Sequence, residues 1–450
     1  MELPRTRMFS NRDLLNIMVP LVLSQALASL VGLVDGVMVS AAGEAAVSGV
    51  SLVTMISNIL LVLFGALTTG GAVLTSQYLG AQQKEHARKS AGQMLLMTLV
   101  LSSLFMAVCL ILTEPILRLF FGAVDDDVMK ACVTYFQFDA ISYPFLALFS
   151  AGSAIFRCVG NSKISLRINV IKNLVNVAGN AICIYGMKMG VEGVAIPTLI
   201  SRILGAVLIM VPACDSKQEL SIDLKDLLRI YGDMMKKIVH IGVPTAFENS
   251  LFQLGRTLVT SMVTAFGTAH ITANAMANSI TAVVIIISTA MSLGMITVVG
   301  QCLGAHDTEQ AKYYTKKLLL WCYVSQGFLQ LMLLIFQEQA IGLYSNLSPE
   351  TIALTKKLIT VHLVCAIPMY PISFLLPNAL RAANDGRYTM TVSLLSMFLC
   401  RIVMSWVLCT QMQWGALGIW VAMVMDWVFR STFFVLRWAR GKWQKHCFLT

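Results

Sequence analysis

Asn169, Asn173, Asn176 and Asn180 recur at spacings of four, three and four, which on an α-helix lays four carboxamides along one stripe. The residues between them are largely apolar. In hydrocarbon, such a stripe is tolerated against neighbouring helices, where amides bond across the interface, or along a water- or ion-lined cavity. A second group with chemistry in it is Asp35, set in Val34-Asp35-Gly36-Val37 with no Lys or Arg in the two turns before it. A carboxylate there is either held by hydrogen bonds or relieved of its charge by a proton or Na⁺, which makes it a candidate carrier. Pro20, fifteen residues earlier in the same apolar run, removes one backbone hydrogen bond and is expected to bend that helix; Pro244 stands at the matching place later in the chain.

Other polar residues inside apolar runs are Asp139, Lys172, Arg202, Glu248, Arg256, Arg401, Asp426 and Arg430. Asp139 is a second candidate proton carrier, expected to line the cavity. Glu248, Asn249, Gln253 and Arg256 share one run and are expected to line a cavity. Asp426 and Arg430, four apart, are expected to pair, with Arg401 as a further partner. Asn274, Asn278, Thr281 and Ser288 also keep a helical spacing, for which packing is sufficient. The eleven Cys show no metal-binding spacing, and the six His form no catalytic motif with Asp or Ser. The phosphate-binding Gly-x-x-x-x-Gly-Lys-Ser/Thr pattern is absent, so no direct coupling to ATP is expected. These readings give no catalytic residue, no metal and no cofactor beyond a coupling ion, H⁺ or Na⁺.

The elements that position these residues follow from composition. Hydrophobic residues make up 57% of the 450-residue chain and charged residues 12%, against about 25% charged in a soluble domain. Twelve apolar runs, at 14–39, 46–75, 90–113, 131–154, 164–186, 190–212, 238–264, 270–299, 315–337, 357–379, 388–411 and 415–437, are long enough to span a bilayer. The segment 1–13 is polar, without the short apolar core of a signal peptide, so the first run reads as an uncleaved span. The net charge of +10 is not a nucleic-acid footprint. Twenty-three Lys and Arg fall in the tails and the loops on one side, and Arg118, Lys130, Lys188, Lys356 and Lys357 on the other. The positive-inside rule therefore places both termini in the cytoplasm, in a cell membrane.

The chain is also written twice. A shift of 224 positions carries Pro20 onto Pro244, Gly43 onto Gly267, Pro144 onto Pro368 and Arg157 onto Arg381, and Gln77-x-Leu79-Gly80-Ala81 onto Gln301-x-Leu303-Gly304-Ala305. One further residue brings Gly190 and Gly193 onto Gly415 and Gly418. Six spans per half make the repeat parallel, an arrangement that works by rocking two lobes about a midplane site. The expected organisation is a cytoplasmic tail (1–13), an N-lobe (14–212), a polar connector (213–237), a C-lobe (238–437) and a second tail (438–450). The fold class is thus an all-α polytopic membrane protein.

Twelve spans in two halves, Pro20 with Val34-Asp35-Gly36, the paired Gln-x-Leu-Gly-Ala ends and Gly190-x-x-Gly193-x-Ala195 together resemble the multidrug and toxic compound extrusion (MATE) family, prokaryotic DinF-like branch, over about residues 13–438. The resemblance implies a cation-coupled antiporter that exports drugs or other amphipathic solutes, working as a monomer among membrane lipids. It further implies that Asp35 carries the ion, with Asn176, Asn180 and Thr198 at the matching ion-site positions. Asn180 stands where that branch has an acid, and the region around Tyr370 lacks the carboxylate of the other prokaryotic branch. The buried cations Lys172, Arg202, Arg256 and Arg401 oppose a cationic substrate unless acids neutralise them. A flippase or exporter of an anionic or lipid-linked substrate is therefore the first alternative, and a membrane-embedded lipid enzyme the second.

Overall fold

Apolar runs of this length satisfy every backbone polar group only as helices, and the computed structural model, which describes residues 7–122, 124–223, 229–344 and 348–447, is built of them, with no strand among the described residues. Residues 1–6 and 448–450 of the expected tails, and 224–228 of the expected connector, lie outside that description. The twelve long helices are α1 (Asn11–Ser40), α2 (Glu44–Gly80), α3 (Lys84–Ile111), α4 (Asp126–Cys158), α5 (Ser162–Ala181), α6 (Glu192–Ala213), α7 (Gly232–Val263), α8 (Thr268–Gly304), α9 (Thr308–Ile335), α10 (Pro349–Ala382), α11 (Gly386–Gln411) and α12 (Ala416–Ala439). Each coincides with one of the twelve expected runs, and most extend beyond it by several residues. Short helices at Thr113–Phe121 and Gln337–Gly342 follow α3 and α9.

Ten of the twelve are apolar enough to cross a membrane by length and composition. The exceptions are α5, diluted by its four Asn and Lys172, and α7, which carries Lys236, Lys237, Glu248 and Arg256. Both are therefore the helices most in need of polar neighbours. Pro20 and Pro244 sit inside unbroken helices, where each removes one backbone donor.

The repeat is visible in the backbone. Left-handed residues recur in pairs: Gly43 and Gly267, Gln82 and His306, Gly160 and Asn384, Lys188 and Gln413. The ends of α2, α4, α8 and α10 close alike, through an amide that reaches back five residues: Gln83 to Tyr78 (2.9 Å), Asn161 to Phe156 (2.8 Å), Asp307 to Cys302 (3.0 Å) and Asp385 to Leu380 (3.0 Å). This is the left-handed helix closure that satisfies the last carbonyls. The paired Gln-x-Leu-Gly-Ala motifs are two of these four helix ends.

By its contacts the chain divides into Phe9–Ala246 and Phe247–Thr450 with Met1–Met8, so the division falls inside α7 rather than in the 213–237 connector. The cause is a close crossing within the first unit. A Cβ at Gly70 of α2 would lie 2.5 Å from the Ile238 carbonyl oxygen and 3.0 Å from the Gly242 amide of α7, so the two backbones touch. Gly70→Ala is expected to destabilise by about 1–3 kcal/mol through overpacking, read as a lower unfolding midpoint in detergent. Gly65→Ala, where a Cβ meets nothing within 4 Å, is the matched control. A Gly70→Ala midpoint equal to the control's would show that the crossing yields at no cost.

Candidate functional site

On α1, Leu33 and Val37 face outward and are mostly exposed (69% and 68%). Asp35 lies between them in sequence and half a turn around, which aims it at α5 and α6. The α1–α5 seam is fixed lower down by Asn169, whose amide donates to the Ser24 hydroxyl (2.8 Å). Three turns further along, Asn180, fully buried, donates to Asp35 Oδ1 at 3.0 Å. Asn176 lies between Asp35 and Thr198 of α6. With its nitrogen toward Asp35 it reaches both carboxylate oxygens (3.1 and 3.2 Å), and its oxygen then accepts from the Thr198 hydroxyl at 3.2 Å. With the amide turned over, the nitrogen donates to that hydroxyl, which in turn donates to the Val194 carbonyl at 2.8 Å. The heavy atoms are the same in both, and the choice is set by where the protons are.

Asp35, Asn173, Asn176, Thr198, Lys172 and Arg202 line a cavity of about 550 Å³ within this unit. The asparagine stripe thus divides its work along its length: Asn169 packs on Ser24, Asn173 and Asn176 face the cavity, and Asn180 holds Asp35. Asn173 Nδ2 is buried and has no hydrogen-bond partner.

Asp139 is not a lining group. It is buried, bonds Ser57 and forms a 2.6 Å ion pair with Arg202, which also bonds Ser142. This corrects its expected place on the cavity wall: the carboxylate is spent on neutralising Arg202, which does line the cavity. Lys172 has no carboxylate within ion-pair distance among the described residues, and its ammonium lies over the Phe149 ring at 4.6 Å.

In the second unit, Glu248 is also withdrawn from the wall. It is 4% exposed and accepts from Ser393 at 2.6 Å. Arg381 approaches it at 2.7 Å, off the direction of a straight hydrogen bond, and Arg430 at 3.7 Å. Asn249 is exposed and Gln253 half-buried, and neither joins the residues that line the cavity here, whereas Arg256 does. Asp426 and Arg430 do not pair with each other. Asp426 accepts from Ser396 (2.5 Å) and faces Arg401 at 3.8 Å, while Arg430 turns to Glu248 and stacks over Phe374 at 4.7 Å. Asn274 and Asn278 are joined to one another (3.2 Å), and Trp420 donates to Asn274 at 2.9 Å; Asn274 is thus held by packing, while Asn278 and Thr281 line the cavity of this unit.

Sequence reasoning counted Arg381 as a loop residue, yet it is 8% exposed inside this network. The available signal was its identity with Arg157, 9% exposed at the same place in the first half; one shared Arg at the repeat offset marks a position set by structure. The seams match as well: Ser24 with Asn169 in the first half corresponds to Glu248 with Ser393 in the second.

A paired twelve-helix repeat with an acid–amide cluster on a cavity wall defines a membrane transport protein, and comparison with known proteins agrees. The MatE family model matches residues 20–182 and again 244–407, two stretches that begin 224 positions apart, so each half is recognised separately. The chain belongs to the MatE family. It is 26% identical to the uncharacterized transporter YisQ of Bacillus subtilis, over 94% of this chain and 93% of that protein. It is 23% identical to a probable multidrug resistance protein NorM of Thermotoga maritima, over 100% and 96%. Among solved structures, a crystal structure of MATE in complex with MaL6 superposes with a TM-score of 0.89 at 18% identity, covering 96% of this chain and 97% of that one. The protein is accordingly a multi-pass membrane transporter and not an enzyme.

Proposed function

We propose that this chain is a secondary exporter of amphipathic organic solutes, driven by a proton gradient through Asp35, with both termini in the cytoplasm. The observation that carries the reading is the Asp35 cluster: one carboxylate on a cavity wall, met by two amides and, through one of them, a hydroxyl. The ionised carboxylate is served by two N–H donors, from Asn180 and Asn176. When Asp35 binds a proton it becomes a donor; Asn176 then presents its oxygen to Asp35 and its nitrogen to Thr198, which donates to Val194. Protonation is thus read by rotation of one amide between two satisfied arrangements, and α1, α5 and α6 are linked differently in each. Such a two-state element is what a rocking transporter needs. Asn180 faces Asp35 with its nitrogen, and the turning of the Asn176 amide needs only a proton on Asp35, which favours H⁺ over Na⁺ as the coupling ion.

The test uses purified protein in liposomes, with H⁺ and Na⁺ gradients imposed separately and one cationic and one anionic dye as cargo. A proton gradient is expected to drive dye movement and a sodium gradient at equal pH is not. Asn180→Asp adds a second acid 3.0 Å from the first and is expected to steepen the dependence of rate on the proton gradient. Dye movement indifferent to both gradients, in wild type and variant alike, would end the proposal.

A further inference from the structure

We propose that the C-terminal unit contains a binding site for an aromatic organic anion, formed by residues apart from the Asp35 cluster and argued independently of it. A cavity of about 300 Å³ is lined by Phe252, Tyr370, Phe374, Trp427, Arg256 and Arg401, among others; this is the lower end of small-molecule sites. Its walls are flat and aromatic. Tyr370 stacks on Phe374 with centroids 4.2 Å apart and meets Trp427 edge-on at 5.3 Å, leaving ring faces and edges for a guest ring.

The charge balance around it is one-sided. Four guanidiniums, those of Arg256, Arg381, Arg401 and Arg430, share this part of the helix bundle with two carboxylates, Glu248 and Asp426. Neither carboxylate lines the cavity. Glu248 is taken up by Arg381, Arg430 and Ser393, and Asp426 by Ser396, with Arg401 only at 3.8 Å. Arg256 has no carboxylate within ion-pair distance among the described residues. Arg401, 8% exposed, keeps a buried Nε with no acceptor, and so does Trp427, 1% exposed, at its indole nitrogen. A buried donor without a partner is costly, and a buried cation with a weak one more so. A carboxylate, sulfonate or phosphate group supplies the missing acceptors, and guanidinium forks suit such groups. Arg256 is exposed rather than buried as the sequence suggests, but an organic cation in the same space still meets the like charge of buried Arg401 at low effective dielectric. Aromatic walls select the body of the ligand and the two arginines select its charge.

The experiment is calorimetric titration of the full chain in a neutral detergent with naphthalene-2-sulfonate, 2-naphthylmethylammonium and inorganic sulfate. The sulfonate is expected to bind at least about tenfold tighter than either of the others, the effect of one well-placed charge or one buried ring system. Arg256→Gln breaks no ion pair and is expected to weaken the sulfonate about fivefold or more, as is Arg401→Gln. Asp35→Asn is expected to leave this binding unchanged, so loss of proton coupling and loss of the anion site are separate results. Equal affinity for the ammonium compound overturns the anion. Equal affinity for sulfate overturns the aromatic part. Sulfonate binding unaltered in Arg256→Gln overturns the location.

Discussion

Asp35→Asn reduces gradient-driven efflux to the level of protein-free liposomes and leaves the protein folded. The substitution preserves shape and keeps one oxygen for the Asn180 amide, which donates to Asp35 at 3.0 Å. What it removes is the ability to gain and lose a proton, and with it the reason for Asn176 to turn. An asparagine offers both a donor and an acceptor at once, so one amide orientation of Asn176 is satisfied permanently. Half-burial of the side chain and the exchange of two neutral-to-charged hydrogen bonds for neutral ones limit the stability change to about 1–3 kcal/mol. Efflux in liposomes with an imposed proton gradient, alongside the unfolding midpoint of the same preparation, reads both. Wild-type efflux from the variant would remove Asp35 from the coupling step and with it the account of Asn176 given above.

Much of the architecture was legible because hydrocarbon constrains sequence more tightly than water does. A run of apolar residues has one regular structure open to it, so ten of the twelve helices follow from length and hydropathy; α5 and α7 are too polar for that measure, and α5 is marked instead by its asparagine stripe. The repeat was legible because Pro, Gly and Arg carry backbone or burial requirements that survive between halves, as the paired positive-φ residues Gly43 and Gly267 show. Contacts between distant polar residues were not. Asp139 and Arg202 are 63 positions apart, and nothing local announces the pair. Asp426 and Arg430 have the spacing of a helical ion pair, but that geometry is worth only about 0.2–0.5 kcal/mol at a helix surface. Buried partners with better geometry outweigh it: Ser396 for Asp426 and Glu248 with three aromatic rings for Arg430. Nor does anything local announce that Gly70 and Gly242 let the start of α7 pack against α2, which puts its first two turns and more among the contacts of the first unit.

Glu248→Gln destabilises the protein more than Asp35→Asn does. The two acids stand in the corresponding first helices of the two halves but at different positions: the repeat places Glu248 on Ser24 and sets Val259 opposite Asp35. Asp35 borders a cavity and is met by neutral amides; Glu248 is sealed among Arg381, Arg430 and Ser393. Removing its charge strands two guanidiniums that are 8% and 4% exposed, and breaking a buried pair this way costs about 3–5 kcal/mol. The loss is read as early labelling by a thiol-reactive dye on heating, because Cys302, Cys322 and Cys409 in the same unit are fully buried. Adding Arg430→Met to Glu248→Gln removes one of the stranded charges and is expected to recover part of the loss, which a purely steric effect of glutamine would not allow. A labelling curve for Glu248→Gln that overlays the wild type would mean that water reaches the arginines, and the second half would then hold an open acid site of its own rather than an acid used to fasten α7, α10 and α12 together.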